Sequence, residues 1–537
     1  MKTLLIIFFL ITSNILTAQV TQEWLASYTG TGTGGNYADK NATDKFGNLI
    51  VAGRTSSNST DYLILKYNSS GNLLWSQSYN GIDNSTDWLS DLILDDSGNV
   101  YITGSSKEGA ANGYYNWLTI KYSPDGELRW KKNLDWTMHK EDIAYSITLD
   151  NDRNILVAGY GWALPEGYQN FDIVVAKYNN NGEVLWTRSF GSTAYHSDWG
   201  YSVVTDDSGC AYVSGYSYEN KIVTIKYDEN GNNLWEKEYP RMNGEYVYPL
   251  YSKIDMQNNI IVNGYYQVSG QSNFVTLKYD RNGNLKWDRV FDNPDGESDY
   301  SHSIYTDENS NIYIAGSTQI TANYYDFLFL KYSPNGDTLL KKTYDNGIGE
   351  SDIANSLVVD SFENVYLTGS TYSVINNSDF LTIKYNALGD LIWIKEYSIP
   401  NGNISNSICM DYDNNVYISG YSVLSSNFSV AISIKYSQLT NIDVVYSPEK
   451  DKLILYNYPN PFNQQTSIFY ILKETGFVKL VIFDIRGRTI TELNNQKQLS
   501  GNYKIDLDCK FLNSGIYFCK LIINNKYSDT VKMLLLK

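Results

Sequence analysis

DDSGNVYITGSS at residues 95–106, followed by NWLTIKYSPDGELRW at 116–130, is one copy of a pattern that fills most of this chain. The pattern contains an Asp, a Gly nine residues later, a Lys-Tyr pair, and a Gly four residues before a Trp. The Lys-Tyr pair recurs eight times at steps of 49–56 residues, with its lysines at Lys66, Lys121, Lys177, Lys226, Lys278, Lys331, Lys384 and Lys435. A period near fifty residues predicts a repeat architecture, in which a binding site belongs to the segments that differ between repeats.

Each repeat is predicted to form four short antiparallel strands, A to D. The constant step of nine residues from Asp to Gly, as from Asp95 to Gly104, predicts a tight A–B hairpin because an Asp before Gly or Asn favours a turn. The step from that Gly to the Lys varies from 11 to 18 residues, which indicates a variable B–C loop. The Gly before the Trp indicates a second hairpin. Four strands in about fifty residues are typical of a β-propeller blade.

The two ends of the repeat region predict how the propeller closes. The eighth repeat lacks strand D, whereas EWLASY at 23–28 resembles an isolated strand D, with Trp24 and Tyr28 spaced like Trp75 and Tyr79. We expect this strand to complete the last blade and to leave no bare sheet edge. The prediction is an all-β, eight-bladed propeller over residues 19–436, with seven blades as the alternative because the fifth repeat matches least well.

Composition and the N-terminus indicate an exported globular protein. The chain has 537 residues, 48 Tyr and a net charge of −17, so it offers ample core material and no basic face for nucleic acid. Lys2, the apolar run from Leu4 to Ile11 and Thr17-Ala18 predict a signal peptide over residues 1–18. No later stretch is long and apolar enough to span a membrane. Cys509 and Cys519 could pair or stay free.

The repeat pattern resembles the beta-propeller repeats of many bacterial secreted proteins. After a predicted linker at 437–452, residues 453–537 alternate apolar residues with turns, which predicts a small Ig-like β-sandwich. This region resembles the type A C-terminal sorting domain of the type IX secretion system of Bacteroidetes. The motif residues are Pro459, Asn460, Pro461, Phe462, Asp484, Gly487, Gly515 and Tyr517. The resemblance implies that the type IX machinery is a partner and that the protein is secreted or displayed on the outer membrane.

Two recurring charges each have a functional and a structural interpretation. Five aspartates lie eight residues before the hairpin Asp and predict an acidic rim: Asp87, Asp142, Asp198, Asp299 and Asp352. They could bind cations or basic ligands, but their recurrence favours carboxylates that cap turns within their own blades. The recurring lysines are interpreted as partners in ion pairs with the Asp that ends strand A.

Aromatic residues in the variable B–C loops are the candidate ligand-binding residues. They are Trp162, Tyr114, Tyr115, Tyr168, Tyr216, Tyr265, Tyr324 and Tyr325. Rings beside Asn and Asp can hold sugars by stacking and hydrogen bonding, although rings in a propeller also pack between blades. No catalytic motif, metal site or cofactor site stands out among His139, His196, His302 and the acidic residues.

The prediction is a non-catalytic module that binds a glycan or a surface protein. The alternatives are a hydrolase or lyase acting on extracellular polysaccharide, and a structural spacer at the cell surface.

Overall fold

A computed structural model describes the protein at residues 20–30, 34–56, 59–81, 84–107, 113–136, 140–163, 170–191, 196–218, 221–239, 247–268, 271–293, 298–321, 324–347, 349–373, 377–425, 428–438, 455–458, 462–472, 475–499, 501–524 and 527–535. Several predictions concern residues outside this set: the signal peptide at 1–18, residues 439–452 of the linker, His139, Tyr168, and Pro459, Asn460 and Pro461. The described residues contain 39 strands and no α-helix. The chain divides into two compact units, residues 1–439 and 440–537.

The described part of the first unit forms eight four-stranded antiparallel sheets. Their A strands are Asn36–Thr43 (β2), Trp88–Leu94 (β6), Ile143–Leu149 (β10), Trp199–Thr205 (β14), Val247–Ile254 (β18), Asp299–Thr306 (β22), Asp352–Val359 (β26) and Asn403–Met410 (β30). Their B strands are Leu49–Ser56 (β3), Val100–Ser106 (β7), Ile155–Trp162 (β11), Ala211–Ser217 (β15), Ile260–Val268 (β19), Ile312–Thr321 (β23), Val365–Ser373 (β27) and Val416–Ser425 (β31). Their C strands are Thr60–Tyr67 (β4), Asn116–Tyr122 (β8), Phe171–Tyr178 (β12), Lys221–Tyr227 (β16), Gln271–Tyr279 (β20), Tyr324–Tyr332 (β24), Asn377–Tyr385 (β28) and Phe428–Gln438 (β32). Their D strands are Leu73–Tyr79 (β5), Leu128–Leu134 (β9), Val184–Phe190 (β13), Asn233–Tyr239 (β17), Leu285–Phe291 (β21), Thr338–Tyr344 (β25), Leu391–Tyr397 (β29) and, from the N-terminus, Val20–Tyr28 (β1).

The burial of the strands explains their composition. Every residue of β7 and β8 is buried, because both faces of each sheet pack against a neighbouring sheet. This burial explains why strands B and C contain continuous apolar runs. Strand D alternates between exposed and partly buried residues, as in β9, because it lies at an edge. Each core cluster joins two successive sheets: Ile50 and Ile64 of sheet 1, for example, pack with Ile102 and Ile120 of sheet 2.

One contact repeats between successive sheets. The indole nitrogen of Trp75 in sheet 1 donates a hydrogen bond of 3.0 Å to the carbonyl of Pro124 in the C–D turn of sheet 2. Lys66, which pairs with Trp75 across strands C and D, donates to the same carbonyl. Gly126 in that turn has a φ of +83°, and a Cβ atom there would lie 2.7 Å from the Trp75 ring. The recurring Gly and Trp of the pattern therefore meet between neighbouring sheets, not within one.

The N-terminal strand β1 pairs with β32, so the eighth sheet has the order β1-β32-β31-β30. Trp24 pairs with Lys435 in the same register as Trp75 with Lys66. Trp24 donates to the carbonyl of Ser69 in sheet 1 at 3.0 Å, and it packs on Gly71. The contact between sheets 8 and 1 is therefore the same as the contact between sheets 1 and 2. Strand β2 of sheet 1 also packs against β30, β31 and β32 of sheet 8.

The second unit contains seven described strands in two sheets around one core. Leu455–Tyr458 (β33), Gln465–Leu472 (β34) and Gly501–Asp508 (β37) form one sheet in the order β33-β34-β37. Gly476–Asp484 (β35), Thr489–Gln498 (β36), Gly515–Ile523 (β38) and Tyr527–Leu535 (β39) form the other in the order β36-β35-β38-β39. Cys509 and Cys519 are buried in the shared core, and they do not form the disulfide that the sequence left open.

The Gly–Trp contact gives a prediction for stability. We expect Gly126→Ala to lower the melting temperature clearly more than Gly347→Ala. Both residues have a positive φ, which costs an alanine about 1 kcal/mol, but only Gly126 has a ring against it; nothing lies within 4 Å of the Cβ position at Gly347. Displacement of the Trp75 ring by the new methyl group should lower the free energy of unfolding by a further ~1–3 kcal/mol. Calorimetry of the two variants measures the difference, and equal losses would contradict a structural role for the contact.

Candidate functional site

The recurring lysines lie at the ends of strands C, and four of the eight form buried ion pairs with the hairpin Asp of their own sheet. Lys66 lies 3.0 Å from Asp44, Lys177 lies 2.8 Å from Asp150, and Lys278 lies 2.7 Å from Asp255, each pair within one sheet. The same Asp accepts hydrogen bonds from two backbone N–H groups of its A–B turn, as Asp44 does from Phe46 and Asn48. The ion-pair interpretation is thus confirmed for these lysines. Their charges are paired within the protein and stabilise the repeated fold.

The five aspartates of the predicted acidic rim are all buried, at 0–2% exposure. Asp142 accepts hydrogen bonds from the backbone N–H groups of Trp136 and Trp162, at 2.9 and 3.0 Å. Gly81, Tyr218, Asn293 and Asn346 donate in the same way to Asp87, Asp198, Asp299 and Asp352, respectively. These carboxylates connect the D–A loop or the start of the B–C loop to strand A. They are therefore caps inside the protein, which agrees with the favoured interpretation, and none of the five is exposed on a rim.

The eight A strands share a feature that the sequence pattern did not reveal. Each A–B ladder skips one residue on strand A, five positions before the hairpin Asp, so that this residue forms a β-bulge. The bulge residues are Asp39, Ser90, Tyr145, Tyr201, Leu250, His302, Asn355 and Asn406. A bulge re-aims a side chain, and these eight side chains differ in chemistry although their backbone positions are equivalent.

The bulge also explains the recurring Gly of strand B. A Cβ atom on Gly104 would lie 2.0 Å from the carbonyl oxygen of Trp88, and one on Gly369 would lie 1.9 Å from that of Ile353. The bulge turns this carbonyl toward strand B, where only glycine leaves room for it. The signal for the bulge was therefore present in the sequence as the Gly nine residues after each Asp.

A cavity of about 770 Å³ is lined by residues from all eight A strands. Seven of the eight bulge residues line it, and Lys40 lines it next to the eighth, Asp39. Its volume lies in the range of sites that take small organic ligands. We call it the A-strand cavity. None of the aromatic residues selected from the sequence lines it, because the B–C loops in which they were sought contribute no lining residue.

The selected aromatics have different environments. Tyr114 is 37% exposed, and the Lys140 ammonium lies 4.8 Å from its ring and 6.0 Å from the ring of Trp162. Tyr115 has Lys107 over its ring at 4.8 Å. Tyr216, by contrast, is only 4% exposed and stacks on Trp199, so it packs within the protein as the alternative interpretation foresaw.

Some of these rings connect to the cavity. Trp162 contacts Phe171, which contacts Tyr160, Tyr160 contacts Tyr145, and Tyr145 lies 5.1 Å from Tyr201 by ring centroids. A second series joins Tyr265 and Tyr325 through Tyr300 to the bulge residue His302. Tyr324 is partly buried at the start of β24. The aromatic residues therefore extend from the B–C loops to two parts of the cavity wall, one at sheets 3 and 4 and one at sheet 6.

The described sorting-motif residues have structural roles in the second unit. Phe462 is buried in the core and bridges to Leu535. Asp484 ends β35 and accepts backbone hydrogen bonds from Arg486 and Arg488 across a turn in which Gly487 has a φ of +77°. Gly515 begins β38, and Tyr517 in that strand pairs with Asp484.

Comparison with known proteins identifies both units. Residues 457–537 match the family model of the secretion system C-terminal sorting domain, and residues 295–324 and 341–376 match the model of a beta-propeller repeat. The protein is thus a β-propeller-repeat protein with a C-terminal sorting domain of the type IX secretion system. This machinery exports it to the cell surface or the extracellular space.

Three individual proteins resemble the chain. An uncharacterized WD repeat-containing protein, L264, of Acanthamoeba polyphaga mimivirus is 25% identical over 422 residues, which cover 71% of this chain and 27% of the viral protein. The chain therefore spans about a quarter of that relative. Crystal structures of proteins of unknown function from Bacteroides caccae and Dyadobacter fermentans are 13% and 12% identical, with TM-scores of 0.33 and 0.37. They cover 57% and 66% of this chain, and 97% and 95% of their own.

In the part of the chain that the structure describes, no helix has the length and hydropathy needed to cross a membrane.

The buried cap Asp142 predicts a pH dependence of stability. Burial, aided by the carboxylates of Asp135 and Glu141, raises its pKa from 3.8 to about 7, against the hydrogen bonds from Trp136 and Trp162. The folded state therefore holds this proton more tightly than the unfolded chain does. Its contribution to stability is full below about pH 4 and is lost as the pH rises to about 7. We expect the difference in unfolding free energy between pH 5 and pH 8 to shrink in Asp142→Asn by on the order of 2 kcal/mol.

The matched control is Asp228→Asn. A hydrogen bond from Asn232 lowers the pKa of this exposed carboxyl, so it titrates below the tested range. This variant should keep the wild-type dependence in chemical denaturation at the two pH values. If Asp142→Asn kept the wild-type pH dependence of the unfolding free energy, the raised pKa of Asp142 would not be its source.

Proposed function

We propose that the first unit is a closed, eight-bladed propeller over residues 19–436, preceded by a signal peptide at 1–18 and joined by a linker at 437–452 to the sorting domain at 453–537. Three observations support closure by the N-terminal strand. Strand β1 completes the eighth sheet, Trp24 repeats the contact of Trp75, and residues of all eight A strands line one cavity. In such a ring, sheets 3 and 4 face sheets 7 and 8 across the cavity.

We further propose that this exported protein binds a saccharide, without catalysis, in the A-strand cavity. The observation that carries the proposal is the set of bulge residues. Their identities vary where the scaffold repeats, and their chemistry divides the cavity wall into an aromatic part and a part rich in hydrogen-bond acceptors. Sugars present both apolar ring faces and hydroxyl donors, so a wall of this kind suits them.

The acceptor part comes from sheets 6, 7 and 8. Each bulge residue there donates to a backbone carbonyl of the next sheet: His302 Nδ1 to Ala354 at 2.9 Å, Asn355 Nδ2 to Ser405 at 2.8 Å, and Asn406 Nδ2 to Ala38 at 2.9 Å. A carbonyl only accepts, so the hydrogen of a neutral His302 is on Nδ1, and burial lowers the pKa of this imidazole. Nε2 of His302 and Oδ1 of Asn355 and Asn406 are then the acceptors available to a ligand.

The aromatic part comes from sheets 3 and 4. Tyr145 and Tyr201 are both half-buried, line the cavity and lie with ring centroids 5.1 Å apart. The rings that lead outward from them to Trp162 would extend the same surface toward Tyr114 and Tyr115. The loop aromatics selected from the sequence would in this proposal be the outer part of the site.

The two alternatives have less support. A retaining or inverting glycosidase needs two carboxyl groups about 5–9.5 Å apart across the bond to be cleaved. Asp91 is the single acidic residue among the described residues that line the cavity, and both of its oxygens accept backbone N–H groups, from Leu92 and Ile147. A structural spacer would give no reason for six residue types at eight equivalent bulge positions.

The test is binding of the secreted protein to an array of neutral and acidic oligosaccharides, followed by titration calorimetry with those that bind. We expect Tyr201→Ala to weaken binding about tenfold, because a ring that stacks on a sugar contributes about 1 kcal/mol or more. Tyr412→Ala is the control, since Tyr412 is 85% exposed in the A–B turn of sheet 8 and does not line the cavity. Absence of any saccharide ligand, or equal binding by both variants, would refute the proposal.

A further inference from the structure

The A-strand cavity contains two lysines that the scaffold does not require. Four positions before the hairpin Asp, most sheets have a side chain that accepts a hydrogen bond from a backbone N–H of the next sheet. Asp91, Ser146, Ser202, Ser356 and Ser407 do so, at 3.0–3.4 Å. Lys40 has this position in sheet 1 and cannot accept. The N–H of Leu92, which would be its donor, bonds instead to Asp91. Lys40 therefore departs from a pattern that stabilises the junctions between sheets.

Lys253 is the second unusual residue and has a different position in the repeat, two residues before the hairpin Asp of sheet 5. The corresponding residues of sheets 2, 3 and 4 that line the cavity are Ile93, Thr148 and Val204. The Lys253 side chain is exposed to solvent where it lines the cavity. Desolvation by the cavity wall lowers the pKa of its ammonium group, the charge of Asp91 raises this pKa, and the charge of Lys40 lowers it further. Both lysines line the same cavity, so their like charges repel each other there.

Neither ammonium group is neutralised by the described residues. Among the described residues, no carboxylate forms an ion pair with Lys40 or Lys253, and none accepts a hydrogen bond from either ammonium group. Two carboxylates lie near them. That of Asp91 already accepts two backbone N–H groups, and that of Asp39, next to Lys40, lies 3.7 Å from the guanidinium of Arg54. Two like charges that share a cavity without partners cost stability, which a ligand with negative charge would restore.

We propose that the A-strand cavity recognises an acidic saccharide, whose carboxylate or sulfate lies between Lys40 and Lys253 while its hydroxyl groups donate to His302, Asn355 and Asn406. The inference rests on the proposed saccharide site and adds the charge of its ligand. Lys253 is three residues beyond the bulge residue Leu250, about 10 Å along the strand at ~3.3 Å per residue. The ligand would therefore reach from the bulge residues toward the A–B hairpins.

The experiment compares three probes by titration calorimetry with the secreted protein: a trigalacturonate, the same trisaccharide with its carboxyl groups reduced to alcohols, and a sulfated trisaccharide. The variants are Lys40→Met and Lys253→Met, which keep the length of the side chain. The control is Lys286→Met, which removes one charge from an exposed position on β21. Each cavity variant should weaken binding of an acidic probe about tenfold or more, with a smaller salt dependence. The control should bind as the wild type does.

The outcomes separate the two proposals. Tight binding of either acidic probe, lost in the cavity variants, supports the inference, and the probe that binds tells carboxylate from sulfate. Equal binding of the reduced and acidic trisaccharides, unaffected by the lysine variants, overturns the inference but leaves the saccharide site standing. Binding of no probe overturns both. A second measurement does not depend on a ligand: Lys253→Met should keep or raise the melting temperature, because it removes a repulsion and breaks no ion pair, whereas a loss of stability would indicate a structural role.

Discussion

The first unit depends on one contact that is repeated between neighbouring sheets: a Trp indole and a Lys ammonium that share one carbonyl of the next C–D turn. The Trp ring lies on the Gly of that turn, and the same geometry recurs from Trp24 to Trp287. Because the indole needs a flat backbone surface and a carbonyl at 3.0 Å, the contact sets the position of each sheet on the next. It is also the contact that joins β1 to sheet 1, which is why we interpret the unit as a closed ring.

Where the Trp–carbonyl contact is missing, other residues make a different contact between the same two sheets. In sheet 6 Leu340 replaces Trp and packs on Gly389, and Lys331 pairs at 2.6 Å with Glu363 of sheet 7. In the eighth sheet, strand C (β32) and strand D (β1) come from opposite ends of the unit, so no C–D turn joins them. There Lys384 of sheet 7 donates a hydrogen bond to the side chain of Gln438. The indole nitrogen of Trp393 has no hydrogen-bond partner among the described residues there. Within the described part of the chain, the junction between sheets 7 and 8 thus lacks the hydrogen bond that the indole of Trp75 makes.

The candidate site has a different origin from the scaffold that carries it. A bulge in each A strand turns one carbonyl toward the strand-B Gly, and in seven of the eight sheets the bulge residue lines the A-strand cavity. The scaffold needs the bulge and the Gly, but it does not determine the side chain at the bulge. The eight bulge positions have equivalent backbone geometry, and the scaffold does not restrict which residue occupies them. They can therefore hold aromatic rings on one part of the wall and hydrogen-bond acceptors on another. Lys40 and Lys253 lie further along the A strands.

The sequence by itself determined the four strands of each repeat, the pairing of β1 with the last sheet, the Lys–Asp pairs and the sorting domain, because turn chemistry and strand spacing are local properties. It selected the loop aromatics for function and favoured a capping role for the rim aspartates, but it could not show which backbone N–H groups Asp142 accepts. Only the tertiary structure decided that the A strands line a common cavity and that Lys40 and Lys253 share it. Residues more than two hundred positions apart meet there, and no local spacing records that approach.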